Sequence, residues 1–401
     1  MIRPSPLVRR ISAAALVACG VLVAPHGARA QGCSWVDPTR SAQSFTIPGQ
    51  GQIWYLGGPS IRCTDGVRIQ ADSAVVYPQQ NMTYLMGSVR FRDASKELTS
   101  DEARYFSRAG RLQANGNTVL RDTLQGSDIR NGDMVLLRRI EGRDTDQITV
   151  TTGSDQVRPV ARLTMKSAPP EPPSTGRDSS AAAEAPPLPD RAAPTDTVRT
   201  PYVVEGDRLF LQGDEYFLAS GSVVVERDSL MAYADTAEYD QVAERMLLKG
   251  TARVEGETYV LVGRTINLTL PGGEMRSVRA VRDAVLTGED LRLQAPLVQL
   301  FLRGGAMERL VAIPLPGDPA SPPATAADSA DLARPVAEAE NFQLTADSVE
   351  VLAPGEVLDR IFASGAARGE STARASFNVA SLPEIARPDW LEGDTIVAPF
   401  S

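Results

Sequence analysis

The chain has 401 residues, with 41 Lys plus Arg against 50 Asp plus Glu, a formal net charge of −9 and one histidine, His26. This acidic balance argues against a general nucleic-acid binder. The lone histidine leaves the rest of the chain without His-based triads or His-ligated zinc, while carboxylate and lysine chemistry stays open.

In chain order, residues 1–30 read as a secretory signal peptide. Arg3, Arg9 and Arg10 precede an apolar run from Ile11 to Val23, and Ala28-Arg29-Ala30 supplies a small-x-small cleavage signal before Gln31. Leu16-Val17-Ala18-Cys19 also fits a lipobox, which keeps lipoprotein processing as the alternative. Cleavage removes four arginines, no acid and His26, taking the formal charge from −9 to −13. No later segment offers about 18 uninterrupted apolar residues, so the mature protein is expected to be soluble or peripherally held. Cys33 and Cys63 remain, and export permits a disulfide between them, with two unpaired thiols as the alternative.

Two stretches differ from their surroundings. Residues 167–200 hold eight prolines and residues 314–340 hold six, and neither has an aromatic residue before Asn341. Such composition cannot bury enough apolar surface to offset ordering entropy, so both read as linkers or insertions. The mature chain then divides into blocks at 31–166, 201–313 and 341–401. The last block is small for a core of its own, so it is expected to stack on the one before, with the linkers looping out between strands.

Repetition dominates inside the blocks. "IQADSAVVYPQQNMTYLMGSVRF" (69–91), "LTSDEARYFSRAGRLQANGNTVL" (98–120) and "AYADTAEYDQVAERMLLKGTARV" (232–254) align without gaps. The alignment superposes Asp72, Asp101 and Asp235, and also Gly87, Gly116 and Gly250; a looser copy carries Asp347 and Gly365. The unit is about 29 residues long. In its second half Leu85, Val89 and Phe91, then Leu112 and Leu120, then Met246, Leu248, Ala252 and Val254 share one parity, the period-2 pattern of a strand with one buried face. In the first half Val67, Ile69, Ala71 and Val75 appear in phase. Polar turns such as "PQQN" (78–81) and "SRAG" (107–110) lie between, so each unit reads as strand, turn, strand. Glycine at a fixed place in the second strand marks a bulge, a bend or a close approach.

The repeated Asp lies next to the apolar phase and reads as a structural position, aimed at solvent or a turn-like hydrogen bond. Catalytic carboxylates form one differentiated pair and not one member per repeat, so no catalytic residue is assigned. Calcium binding is the better rival, yet the Gly-Asp-dense nonapeptide of calcium solenoids is missing. There is no phosphate loop, no Gly-x-Ser-x-Gly elbow and no Cys-x-x-Cys. No metal or cofactor is expected, and the apolar face becomes the candidate functional surface.

The residues "ADSAVVY…GSVRFRD…ELTSDEARYF…LQANGNTVLRD", repeated as "AYADTAEYD…LLKGTARVEGETYVLVGRTINLTL", resemble the OstA-like organic-solvent-tolerance family, which includes LptA. The resemblance covers 64–137 and 203–310, and 342–401 more weakly. It implies an all-β fold, an open β-jellyroll of tiled antiparallel hairpins, in a non-enzymatic periplasmic protein. The apolar interior of that fold would hold the acyl chains of lipopolysaccharide or another acylated envelope lipid. Ile69, Val75, Leu85, Val89, Phe91, Leu112, Leu120, Met246, Leu248 and Val254 are the interior positions this assigns. A structural envelope protein with a dry packed core is the alternative. Partners would add edge to edge, as other OstA-like transport components or a second copy. "WLEGDTIVAPF" (390–400) is expected to offer the open edge strand from 393 to 400. Proline at Ile396 is expected to weaken assembly and spare the monomer.

Overall fold

The computed structural model describes residues 32–36, 39–49, 51–139, 142–164, 200–315, 334–339, 342–371 and 390–400. The expected signal peptide and its lipobox, and most of both Pro-rich stretches, lie outside these residues. The described chain from Gly32 onward belongs to one compact unit. It is all-β and jellyroll-like: antiparallel strands joined by tight connections, some of them single 3-10 turns such as Pro78–Gln80 and Ser107–Ala109.

Alternation of apolar and polar residues makes each strand two-faced, and a bend in mid-strand makes two sheets from one ladder. Long strands such as Met82–Arg92, Lys96–Phe106, Tyr216–Arg227, Leu230–Asp240 and Arg245–Glu255 run through both sheets. Their pairing slips at the middle, between Met86 and Val89, Ser220 and Val223, Tyr233 and Thr236, and Lys249 and Ala252. Other rungs are split at the same level into two short strands, as Arg68–Gln70 with Ser73–Tyr77 and Tyr202–Glu205 with Arg208–Gln212. The halves preceding Gly87 and Gly250 build a first sheet and those following them a second. At 4.7–4.9 Å per rung, roughly twenty rungs give a stack on the order of 90 Å.

The stretch 228–254 is a hairpin, the strand, turn and strand that its alignment with the other copies predicts. Leu230–Asp240 and Arg245–Glu255 pair with each other around a turn at 241–244. Its carboxylates are structural. Asp240 accepts from the Ala243 N–H at 2.9 Å, Glu238 pairs with Lys249 at 3.1 Å, and Glu244 accepts from the Gly272 N–H at 2.9 Å.

Between the sheets lies one apolar interior. A single row of it on the first sheet runs in unbroken register through Leu56, Ala74, Leu85, Ala103, Ala114, Met134, Val150 and Leu209. It continues through Ala219, Ala237, Leu248, Ile266, Ala280, Val298, Ala312, Val349, Ala363 and Ile396. Every member is buried, and large and small side chains mix so that the facing sheets interdigitate. The row crosses both Pro-rich stretches. Gln147–Thr151 pairs with Arg208–Gln212 and Val160–Leu163 with Tyr202–Glu205, while Leu291–Arg303 pairs with Val336–Ala339. That last strand falls within the stretch read as linker at 314–340. Its Ala337 and Ala339 pack inward, and a strand made of small residues resembles linker composition.

Cys33 and Cys63 form a disulfide and sit opposite each other in register, tying Cys33–Trp35 to Ser60–Cys63. Beside it the rings of Trp35 and Trp54 lie 5.1 Å apart, Trp54 packed against the interior and Trp35 exposed.

Two expectations need correction. Val75 does not share a face with Ile69: its cross-strand neighbours are Tyr55 and Tyr84, whereas Ala74 is the residue aligned with Leu56 and Leu85. The phase of the Asp-bearing strand switches at the bend. In the copy 232–239 the inward residues are Ala232 and Ala234 before Asp235 but Ala237 and Tyr239 after it. Val75 is buried, at 7% exposure, under tyrosines on the outer face and is not part of the interior cluster. Ile396, offered as a bare edge position, is also 7% exposed and continues the interior row opposite Ala363. Proline there would disturb the core as well as the edge.

Candidate functional site

The interior is closed on one long side by the bends and lies between two rows of turns on the other. Turns at 48–49, 78–81, 107–110, 142–146, 241–244, 270–276 and 353–359, with Arg138 and Arg139, form the lip of the first sheet. Turns at 64–67, 93–95, 123–127, 228–229, 256–258 and 289–290 form the lip of the second. What the protein can admit depends on how these lips meet.

In the N-terminal half they are tied by ion pairs. Arg138, on the first lip, donates from Nη1 to Asp65 Oδ2 at 2.6 Å and from Nε to Asp93 Oδ2 at 3.3 Å, both carboxylates belonging to the second. Its guanidinium lies 5.7 Å from the centroid of the Phe91 ring, and only 9% of its side chain is exposed. Burial opposes the charge of Arg138, but the hydrogen bond to Asp65 and the fields of Asp65 and Asp93 outweigh it and raise its pKa. Lys96 on the second lip repeats the arrangement, reaching Asp146 on the first at 2.7 Å with Asp122 at 3.9 Å. Burial again opposes its charge, and the carboxylates again raise its pKa.

Further along the lips touch at fewer points and clefts open between them. Next to the Lys96 pair is a narrow one of about 70 Å³, with Leu120, Ile148, Leu211 and Phe217 among its apolar walls. Arg227 then crosses the mouth, donating to the carbonyl of Gly273 and, at 2.6 Å, to the hydroxyl of Tyr202, whose ring it covers at 4.6 Å. Burial raises the Tyr202 pKa, with Arg227 pulling the other way. Beyond it lie clefts of about 450 Å³ and about 500 Å³, which share Tyr259 and Glu356. Leu268, Met275 and Leu230 line the first, Leu286, Leu291 and Met307 the second, and Arg227, Arg276, Glu257, Glu289 and Asp290 belong to their walls. Thr258 bridges the mouth between them by donating to Glu356 at 2.9 Å. Burial, with a contribution from Glu356, pushes the Tyr259 phenol up to about 12.

Ile69, Leu85, Val89, Phe91, Leu112, Leu120, Met246, Leu248 and Val254 all belong to one interior cluster, and each is at most 3% exposed. Of these, Leu120 alone lines one of the clefts described. Period-2 patterning found the depth of the interior but not its openings. Those are made by turn residues such as Arg138, Arg227 and Glu356, which have no period. Arg138 meets its partners across 45 and 73 residues of sequence.

An all-β stack of bent strands enclosing an apolar interior, with lips that part in its C-terminal half, is the class of protein the fold defines. No family model matches the chain, and no curated protein matches it. Among solved structures it is similar to LptH of Pseudomonas aeruginosa, the LptA homologous periplasmic component of the conserved lipopolysaccharide transport device. The identity is 15%, the match covers 40% of this chain and 93% of that one, and the TM-score is 0.26.

Proposed function

We propose that the protein is a non-enzymatic periplasmic carrier that takes the acyl chains of an envelope amphiphile of the lipopolysaccharide type between its sheets and passes it toward the outer membrane. The observation that carries this reading is the pair of adjoining clefts beside Tyr259, which join an apolar floor to a charged rim. Their volumes lie in the range of about 300–1,000 Å³ typical of small-molecule sites. Acyl chains on the floor would gain roughly 25 cal/mol per Å² of apolar surface removed from water, and charged rim residues would meet the head group. Deeper occupancy requires the sheets to part around Leu248 and Leu112.

A second reading, a structural envelope protein with a dry core, is favoured by the complete burial of Leu85, Leu112 and Leu248, each at 0% exposure. Lipid analysis of the purified protein by mass spectrometry, with a photocrosslinker at Met275 and an Ala306→Trp variant that fills the cleft, separates the two. The carrier reading expects acylated lipid crosslinked at Met275 and a loss of bound lipid of about tenfold in Ala306→Trp with the fold intact. Absence of lipid from both proteins leaves the dry core.

A further inference from the structure

The outer face of the second sheet carries a row of side chains in direct cross-strand register: Arg62, Arg68, Arg92, Glu97, Arg121, Asp128 and Arg162. From Arg92 onward the signs alternate, and neighbours neutralise each other. Arg92 meets Glu97 at 2.9 Å, and Arg130 beside the row meets Asp128 at 2.6 Å. The first three rungs depart from this rule, because Arg62, Arg68 and Arg92 stand side by side with no acid between them. Arg90, two residues before Arg92 on the same strand and so on the same face, adds a fourth cation opposite Gln70. All four arginines are exposed, and among the described residues Arg62, Arg68 and Arg90 form no ion pair.

Like charges directly opposite on neighbouring strands repel each other. An exposed cluster of this kind is all the less expected on a chain whose formal charge is −9. The strand that carries Arg62 is held by the disulfide at Cys63, so the guanidinium groups are anchored on a cross-linked frame. A shallow cavity of about 300 Å³ lies over them, with Ser60, Gln70 and Glu97 at its margin. Planar guanidinium groups on adjacent rungs match the oxygens of neighbouring phosphates, each able to bind in bidentate fashion. The cluster is compact and the charges beyond it alternate, so a small ligand with more than one phosphate fits it better than an extended anionic surface.

We propose that Arg62, Arg68, Arg90 and Arg92 form a binding site for a compact, multiply phosphorylated group on the outer face of the N-terminal rungs. It stands apart from the interior clefts and does not depend on what occupies them. Such a group could be carried on a lipid head or on a soluble phosphorylated molecule.

Titration calorimetry of the full chain with sodium pyrophosphate, in parallel with flotation on phosphatidylcholine vesicles containing phosphatidylinositol 4,5-bisphosphate, tests the site, and vesicles of equal charge containing phosphatidylserine are the control for a merely anionic surface. At least one probe is expected to bind. The Arg68→Ala/Arg92→Ala variant is expected to lose about tenfold or more in affinity, with Arg68→Lys/Arg92→Lys recovering only part of it. Arg253→Ala, a charge removed from a distant rung, is expected to change nothing. Binding of pyrophosphate alone assigns a soluble ligand, and binding of vesicles alone or of both probes assigns a lipid head group. The proposal is overturned if neither probe binds, if sodium sulfate binds as tightly as pyrophosphate, if the phosphatidylserine vesicles bind as tightly as the bisphosphate ones, or if the double alanine variant keeps its affinity. Ala306→Trp leaves this titration unchanged whatever it does to bound lipid, so the two readings fail separately.

Discussion

Asp72 and Gly87 meet at the bend between the two sheets. The Asp72 N–H donates to the Gly87 carbonyl at 2.8 Å, and a Cβ built on Gly87 would lie 2.5 Å from Asp72 Oδ2. The same pairing recurs at Asp101 with Gly116 and at Asp347 with Gly365, with N–H to carbonyl distances of 2.8 and 3.0 Å. Gly87 has φ +73 and Ser88 has φ +45, so two successive left-handed residues turn the strand, and Ser88 Oγ donates to Asp72 at 2.9 Å. The repeated Asp therefore holds the corner, and the glycine leaves it room.

Gly87→Ala should accordingly destabilise the fold by about 2 kcal/mol, combining left-handed backbone strain with displacement of the aspartate. Gly66→Ala is the control, since Gly66 has φ +89 but nothing within 4 Å of its added Cβ. Urea midpoints should fall further for Gly87 than for Gly66, and adding Asp72→Ala to Gly87→Ala should cost less than the sum of the two. Equal losses at both glycines would remove the aspartate from the explanation.

Much of this was legible in the sequence. The spacing of Asp72, Gly87, Asp101 and Gly116 encodes bend positions that recur with every second rung, and the period of 2 on the glycine-bearing strands encodes the interior. The first halves were less legible, because the irregularity at Asp72 inverts the phase and an unbroken alternation from Ile69 predicts Val75 in place of Ala74. The lips were not legible, since Arg138, Asp65 and Asp93 become neighbours only after the rungs have stacked.

Arg138 is the clearest test of whether the N-terminal lips are held shut. Arg138→Met keeps much of the side-chain volume but leaves Asp65 and Asp93, whose side chains are 18% and 8% exposed, without their counter-ion. Removing one partner of a buried ion pair costs about 3 kcal/mol or more. Hydrogen exchange should quicken at the turns 64–67, 93–95 and 142–146 before it does elsewhere. Restoring neutrality with Asp65→Asn and Asp93→Asn in the same protein should return much of the loss; no recovery would point to packing on Phe91 instead.

The buried phenols give the fold an alkaline limit. Burial pushes both Tyr239 and Tyr259 from an ordinary value of 10 up to about 12. A pKa raised on folding leaves stability intact below the unfolded value and removes it as pH rises, here from about 10 through about 12. Each two-unit shift corresponds to at most about 3 kcal/mol. Tyr259→Phe should therefore reduce the fall in stability across that window without abolishing it, because Tyr239 still titrates. Spectrophotometric titration of tyrosinate alongside urea midpoints measures both quantities, and an unchanged slope in Tyr259→Phe would mean that its phenol ionises in the folded state without penalty.

Two strand edges with a single neighbour each are the remaining consequence of the stack. Among the described residues, Trp390–Pro399 pairs only with Arg360–Ser371, and at the opposite edge Ser41–Ile47 pairs only with Gly51–Gly57. An unpaired strand edge is a template for another chain, and copies joined there would extend the apolar row beyond Ile396. Val397 is half exposed, and its cross-strand partner Phe362 lies on the face opposite the inward pair Ile396 and Ala363. Val397→Lys therefore places a charge on the edge strand without touching the core, which the Ile396 substitution cannot do. Sedimentation velocity across a concentration series should show association weakened about tenfold in Val397→Lys, with thermal unfolding unchanged. Equal association of the two proteins would mean that copies do not join through this strand.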